Sequence, residues 1–276
     1  YPALEFMSKI AFIGAGNMVS AIVKGMVKSK VFASKDIACT SAHNTSAAKL
    51  STETGIKHTM DLEELITNVE NGGYVVLGFK PQQLLQMPEG LAQWTQGKIV
   101  ISILAGTLIE KLRQRYPDAA NIVRVMPNTP GQIGAGVSAY AVEKELSDKQ
   151  RAEIETILGS LGVVHAVTED KIDAVTGISG SGPAYVFEFI AALAEAGATA
   201  GLEPEMASNL ALHTVMGAAK LVEQTKEDPE ILRNKVTSPN GTTQAALESM
   251  KANGFRSLID KAVKACVNRS IELSRS

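Results

Sequence analysis

From residue 9 to about residue 167 the chain alternates two patterns of apolar and polar positions. Short runs at 10–13, 36–40, 74–77, 98–103 and 120–125 are rich in β-branched and other apolar residues. They are too short for helices and apolar at consecutive positions, as strands covered on both faces are. Between them apolar residues recur three or four apart, as in Met18, Ile22 and Met26, which predicts amphipathic helices. Strands alternating with helices predict βαβ units and a parallel sheet. Two later runs, 136–141 and 163–167, are expected to add edge strands.

Beyond Thr168 the strand pattern stops, and Ala- and Gly-rich helical patterns occupy 184–200, 203–224, 242–252 and 255–274. Glu203-Pro204 reads as a helix start, with proline tolerated in the first turn, and Gly254 reads as a helix stop. A bundle this thin seldom buries its apolar stripes alone, so a dimer sharing this region is expected. The predicted organisation is an α/β N-terminal domain, a doubly wound sheet over 7–167, followed by an all-α C-terminal dimerisation domain over 168–276. Residues 1–6, which precede Met7 without joining its pattern, are read as a remnant of cloning.

The formal net charge of −2 offers no basic face for nucleic acid and no polybasic membrane anchor. No apolar run approaches a membrane span and no signal peptide is apparent. The two cysteines, Cys39 and Cys266, are too far apart in sequence to suggest a metal motif or a disulfide framework. A cytoplasmic protein without a metal is expected.

The clearest motif is "KIAFIGAGNMVSAIVKGM". A buried strand runs into Gly14-Ala15-Gly16 and then into a helix beginning near Asn17 and Met18. The first glycine permits the tight turn, the second lets the backbone approach a pyrophosphate, and the helix start offers N–H groups. This is the dinucleotide fingerprint of a Rossmann-type domain, with one departure: Val19 stands where a third glycine or alanine is usual. The next strand ends in Cys39-Thr40-Ser41-Ala42-His43-Asn44, without the acid that bonds an NAD ribose. Thr40, Ser41 and Asn44 suit a 2′-phosphate, which favours NADPH, with NADH the alternative. Two further strand ends should face the cofactor. One is Gly78-Phe79-Lys80-Pro81, where proline forces Lys80 into an extended conformation. The other is Ala105-Gly106, small enough for a flat ring to lie against the backbone. "RVMPNTPGQIGAG" follows another strand and adds Asn128 to the expected cofactor contacts. "GISGSGPAYVFEFI" reads as a flexible turn over 179–182 and a helix start with a capping serine.

Late in the chain, "SPNGTT" sets Ser238, Asn240, Gly241, Thr242 and Thr243 around a proline between two helical patterns. Taken with the preceding motifs in their order, together with Met126-Pro127-Asn128-Thr129-Pro130, the sequence resembles the pyrroline-5-carboxylate reductases, from Met7 to the C-terminus. The resemblance implies reduction of a cyclic imine carboxylate to L-proline by NADPH or NADH, the last step of proline biosynthesis. It also implies a homodimer or a larger ring of dimers. The usual family pattern has glycine where Asn240 stands, and asparagine is among the few residues that tolerate positive φ. On this resemblance Ser238, Asn240, Gly241, Thr242 and Thr243 bind substrate, and the Thr243 hydroxyl reaches the ring nitrogen as the catalytic group. N–H groups from Gly241 to Thr243, at a helix start, favour a carboxylate.

Two alternatives bear on this reading. A 3-hydroxyacid dehydrogenase of the same two-domain shape would need a catalytic lysine on the helical side, and Lys220 and Lys235 lie in no matching motif. A nucleotide-sensing binding protein would tolerate a damaged reactive end, and this one is intact. His43, His58, His165 and His213 are scattered. The absence of a histidine- or cysteine-based motif suits an imine, whose cation accepts hydride readily once positioned.

Overall fold

The computed structural model describes residues 8–30, 32–42 and 45–275. The expected remnant at 1–6, together with His43 and Asn44, lies outside the described residues. The first half runs β1 (Ser8–Ile13), α1 (Asn17–Lys28), β2 (Ile37–Thr40), α2 (Thr45–Thr54), β3 (Lys57–His58), α3 (Leu62–Thr67) and β4 (Val69–Leu77). It continues through α4 (Leu91–Trp94), β5 (Ile99–Ser102), α5 (Ile109–Arg115), β6 (Asn121–Met126), β7 (Gly136–Val142), α6 (Asp148–Gly159) and β8 (Gly162–Ala166). Helices then follow: α7 (Ile172–Val175), α8 (Gly182–Thr199), α9 (Pro204–Thr225), α10 (Pro229–Lys235), α11 (Thr242–Ala252) and α12 (Phe255–Arg275).

The eight strands form one sheet in the order β3-β2-β1-β4-β5-β6-β7-β8. Neighbours are parallel except β6 and β7, which are antiparallel. Strand order reverses between β1 and β4, the place where open α/β sheets bind ligands. The consecutive apolar positions of β1 divide between two cores. Ile10 and Phe12 pack with Val76, Ile99 and the α1 residues Ile22 and Met26. Ala11 and Ile13 pack with Val75, Val100, the α3 residue Leu65 and the α5 residue Leu112. Alternate side chains point to opposite faces of a strand, so an unbroken apolar run requires cover on both. Each fully buried side chain of this size contributes about 1.5–3 kcal/mol.

The expected edge strands are both present, but only β8 is an edge; β7 lies inside it. β3 and the first half of β4 carry no apolar signal, and α10 is a short helix started by Pro229.

Contacts divide the chain into two compact units. The sheet unit takes residues up to Gly180 and again from Val267; the helical unit is Ser181–Cys266. Sequence reasoning set its division at 167/168. Residues 168–180 pack on the sheet unit, with Ile172 fully buried. In the helical unit α8 packs on α9, and a Cβ on Gly197 would lie 3.2 Å from Ala207 Cβ. The buried hydrophobic residues of this unit are two alanines, Ala207 and Ala211, while Phe187 is 62% and Leu258 63% exposed. The expected turn at 179–182 is instead a π-helical turn over Thr176–Gly180 that joins α7 to α8.

Candidate functional site

In the sheet unit a cavity of about 670 Å³ opens at the carboxyl ends of β1, β2 and β4. Its floor is the Gly14-Ala15-Gly16 loop. Gly14 has φ +112°, and a Cβ there would lie 2.5 Å from Gly78 O, so only glycine fits. The Gly14 N–H donates to Thr40 O at 2.9 Å, and the Gly78 N–H donates to Ile13 O at 2.8 Å. These bonds fasten the loop to both neighbouring strands. Gly16 caps α1 with no side-chain hydrogen bond, and a Cβ built on it would meet nothing within 4 Å. The first intrahelical bond is from Ser20 N–H to Gly16 O. The N–H groups of Asn17, Met18 and Val19 therefore lie in the unbonded first turn, at the positive end of the helix dipole.

Val19 is buried, and a Cβ added to Gly78 would lie 2.2 Å from its Cγ2. The larger residue at the fingerprint's third position is thus accommodated by a glycine on the adjoining strand end. Thr40 is buried at the end of β2, and Ser41 Oγ accepts the Ala47 N–H at 3.2 Å, which leaves the hydroxyl hydrogen to donate elsewhere. Lys80 is extended as its proline requires (φ −79°, ψ 140°), and its N–H donates to Gln83 Oε1 at 2.9 Å. Among the described residues lining the cavity it is the only charged one, and none is Asp or Glu. Glycine loops, a helix start, hydroxyls and one cation fit an anionic dinucleotide.

The structure brings Gly14, Ala15, Gly16, Asn17, Met18, Thr40, Ser41, Gly78, Phe79 and Lys80 together in this cavity. Pro81, Ala105 and Asn128 are not among its lining residues. Pro81 starts a 3₁₀ turn and Ala105 is exposed in a turn after β5. Asn128 is a brace: its Nδ2 donates to Ser179 O at 3.1 Å and its Oδ1 accepts the Val137 N–H at 2.8 Å. Sequence reasoning missed Met60, Leu62, Gln83, Met87, Thr129 and Gln132. None belongs to a phosphate-binding pattern; the fold carries them in from loops and helix starts.

In the helical unit, "SPNGTT" folds as a turn closed by the Gly241 N–H donating to Ser238 O at 3.0 Å, with Asn240 at φ +59°. Gly241 caps α11 without a side-chain hydrogen bond, and the Ala245 N–H makes the first helical bond to Gly241 O. The N–H groups of Thr242, Thr243 and Gln244 are therefore left over. Asn240 N–H donates to Gln244 Oε1 at 2.7 Å, so neither Ser238 nor Asn240 acts as the cap. Thr243 is half-buried, whereas Ser238 and Thr242 are exposed. A cavity of about 820 Å³ among α10, α11 and the start of α12 is lined by none of the six "SPNGTT" residues.

The capping serine expected before α8 is not one. Ser181 makes no cap bond, because the π-helical turn before it leaves no free helix end. Its Oγ accepts the Cys266 thiol at 3.2 Å.

The pyrroline-5-carboxylate reductase dimerisation family matches residues 169–273, and the coenzyme F420-dependent NADP oxidoreductase family matches 9–106. The chain is 40% identical to a pyrroline-5-carboxylate reductase of a Synechocystis strain, over 97% of this chain and 98% of that one. A solved pyrroline-5-carboxylate reductase from Coxiella burnetii superposes with a TM-score of 0.90 at 34% identity, covering 98% of this chain and 100% of the other. A Plasmodium falciparum pyrroline carboxylate reductase solved with NADP bound has a TM-score of 0.82 at 29% identity, with 99% and 100% coverage. The chain belongs to the pyrroline-5-carboxylate reductase family.

Proposed function

We infer that the protein reduces 1-pyrroline-5-carboxylate to L-proline at the expense of NADPH, the last step of proline biosynthesis. The observation that carries our assignment of substrate residues is the start of α11. Hydroxyls and amides surround it, yet no side chain caps it, so its N–H groups remain for a carboxylate. Gly14 to Met18 hold the pyrophosphate, while Thr40, Ser41, Asn44 and Lys80 meet the 2′-phosphate side. Phe79 and Gly78 shape the wall between them. When bound, NADPH supplies the hydride.

The chain's own task is to orient and to manage one proton. The free N–H groups at the start of α11, those of Thr242, Thr243 and Gln244, bind the substrate carboxylate, helped by Ser238; Gly241, whose N–H is taken by Ser238 O rather than left for the substrate as expected, shapes the turn with Asn240. Thr243 Oγ1 holds a hydrogen bond at the ring nitrogen and favours the protonated, electrophilic form of the C=N bond. A threonine hydroxyl is too weak an acid to do more, and an imine needs no more. The protein works as a homodimer built on the helical unit, and as a ring of such dimers where the pairs assemble further. The cytoplasm is its compartment in this reading, in keeping with the two free thiols.

The test is NADPH oxidation with the cyclic imine carboxylate. Thr243→Ala should lower kcat about a hundredfold, and Thr243→Ser should recover part of it. Full activity in the alanine variant removes the hydroxyl role and leaves a carboxylate cradle. No turnover by the wild-type protein removes the reductase reading.

A further inference from the structure

A polar cluster outside both sites, centred on the buried Arg124 and two half-buried carboxylates, converges on the wall of the nucleotide cavity. Arg124, on β6, is 3% exposed. Its Nη1 lies 3.1 Å from Glu169 Oε1, and its Nη2 lies 3.8 Å from Asp173 Oδ1. Each carboxylate has a second task. Glu169 Oε1 accepts the Ile109 N–H at 2.7 Å, the first residue of α5. Asp173 Oδ1 accepts the Ser270 hydroxyl at 2.6 Å, in the last turns of α12. One turn further along α12, Leu273 lies against Gly106, where an added Cβ would sit 3.4 Å from Leu273 Cβ.

The segment between β5 and α5 begins with Ile103, which lines the nucleotide cavity, and turns at Gly106 with φ +67°. It is thus held at two points. Glu169 holds its exit at Ile109, and α12 supports its turn at Gly106. Both supports trace back to one guanidinium. All of these residues belong to the sheet unit, although residues 169–273 match the dimerisation family.

We propose that Arg124 is a positioning residue for the nucleotide site, acting through Glu169, Asp173 and Ser270 on the segment 103–109. The last turns of α12 are then a working part of that site as well as the end of a dimerisation sequence. Replacing Arg124 with an apolar residue leaves two carboxylates crowded without their cation, and the segment loses both supports together. The proposal rests on the NADPH reading above.

The experiment compares full-length wild type, Arg124→Met, Arg124→Lys and Ser270→Ala. NADPH affinity is read from cofactor fluorescence without substrate, and amide hydrogen exchange is read over 103–109 without cofactor. Arg124→Met should weaken NADPH binding about tenfold, speed exchange at Ile109, raise the KM for NADPH and leave the KM for the imine unchanged. Lysine should restore part of the affinity, and Ser270→Ala should shift it a few-fold in the same direction. A lower melting temperature with unchanged NADPH affinity in the folded variants would reduce the cluster to a stabilising one and overturn the proposal. If Arg124→Met does not fold, an unchanged affinity in Ser270→Ala overturns it as well. The exchange experiment is independent of the NADPH reading: unchanged exchange at 103–109 sinks the cluster's role even if wild type binds no NADPH, an outcome that by itself sinks the reading.

Discussion

At the scale of single residues, the nucleotide loop depends on close approach. A Cβ on Gly78 would stand 2.2 Å from Val19 Cγ2, so Gly78→Ala overpacks the site by about 1–3 kcal/mol. Adding Val19→Ala should recover most of that loss, because the added methyl then takes the space the valine vacates; denaturant unfolding of the single and double variants measures it. The sequence displayed Val19 as a departure from the fingerprint and displayed Gly78 as a strand end. That the two compensate is a contact across chain segments, to which local spacing is blind. Asn240 makes the opposite case, since its tolerance of positive φ could be read from residue type alone and the structure has it at +59°. Asn240→Gly should therefore be nearly neutral in stability, and Asn240→Val should cost about 1–2 kcal/mol and raise the KM for the imine.

At the scale of elements, what could be read was what buries itself. Residues 10–13 of β1 and 99–101 of β5 are apolar at every position because both faces are covered, and β6 departs from that pattern only at Asn121 and Arg124, so their place in the sheet was written in their composition. β3 is only Lys57–His58, held by backbone pairing to Ala38 and Cys39. The start of β4 contains Glu70-Asn71-Gly72-Gly73, and neither stretch has a side-chain pattern to find. The cavity divides in the same way. Its glycine floor and the Thr40-Ser41 edge were legible, whereas Met60 and Gln132 arrive from elements that have other work.

Joints between elements are held by polar groups, and one of them should be visible in acid. Arg113, on α5, donates from Nε to Glu143 Oε1 at 2.7 Å and from Nη1 to the Tyr116, Pro117 and Ala119 carbonyls. The hydrogen bonding of the Arg113 guanidinium to the Glu143 carboxylate holds that carboxyl below its ordinary value of 4.5, against the opposing effect of burial. A carboxylate whose folded value is lowered stabilises the fold above its unfolded value, and that contribution fades as pH falls through the folded one. Glu143→Gln should thus narrow the difference in unfolding free energy between pH 7 and pH 3, measured by urea titration at each pH.

At the scale of the whole molecule, the helical unit buries two alanines and leaves phenylalanine and leucine on its surface. A surface of that kind is half of a core, to be completed by a second copy. The melting temperature should therefore rise with protein concentration over a hundredfold range, as mass action requires, and a flat dependence would count against assembly-linked stability. The sequence carried this information in its thin, apolar-striped helices, although it placed the division between the halves at 167/168 rather than where contacts place it.

The return of α12 to the sheet unit has a consequence for synthesis. A nascent chain leaves the ribosome with its nucleotide-binding half first, and such halves ordinarily fold as they emerge. Here Arg124 meets Ser270's partner Asp173 early, but Ser270 is translated 97 residues after Asp173, and Leu273 later still. The sheet can form while the chain is still tethered; the Gly106 turn beside its ligand cavity gains its final support only when the last turns of α12 have emerged.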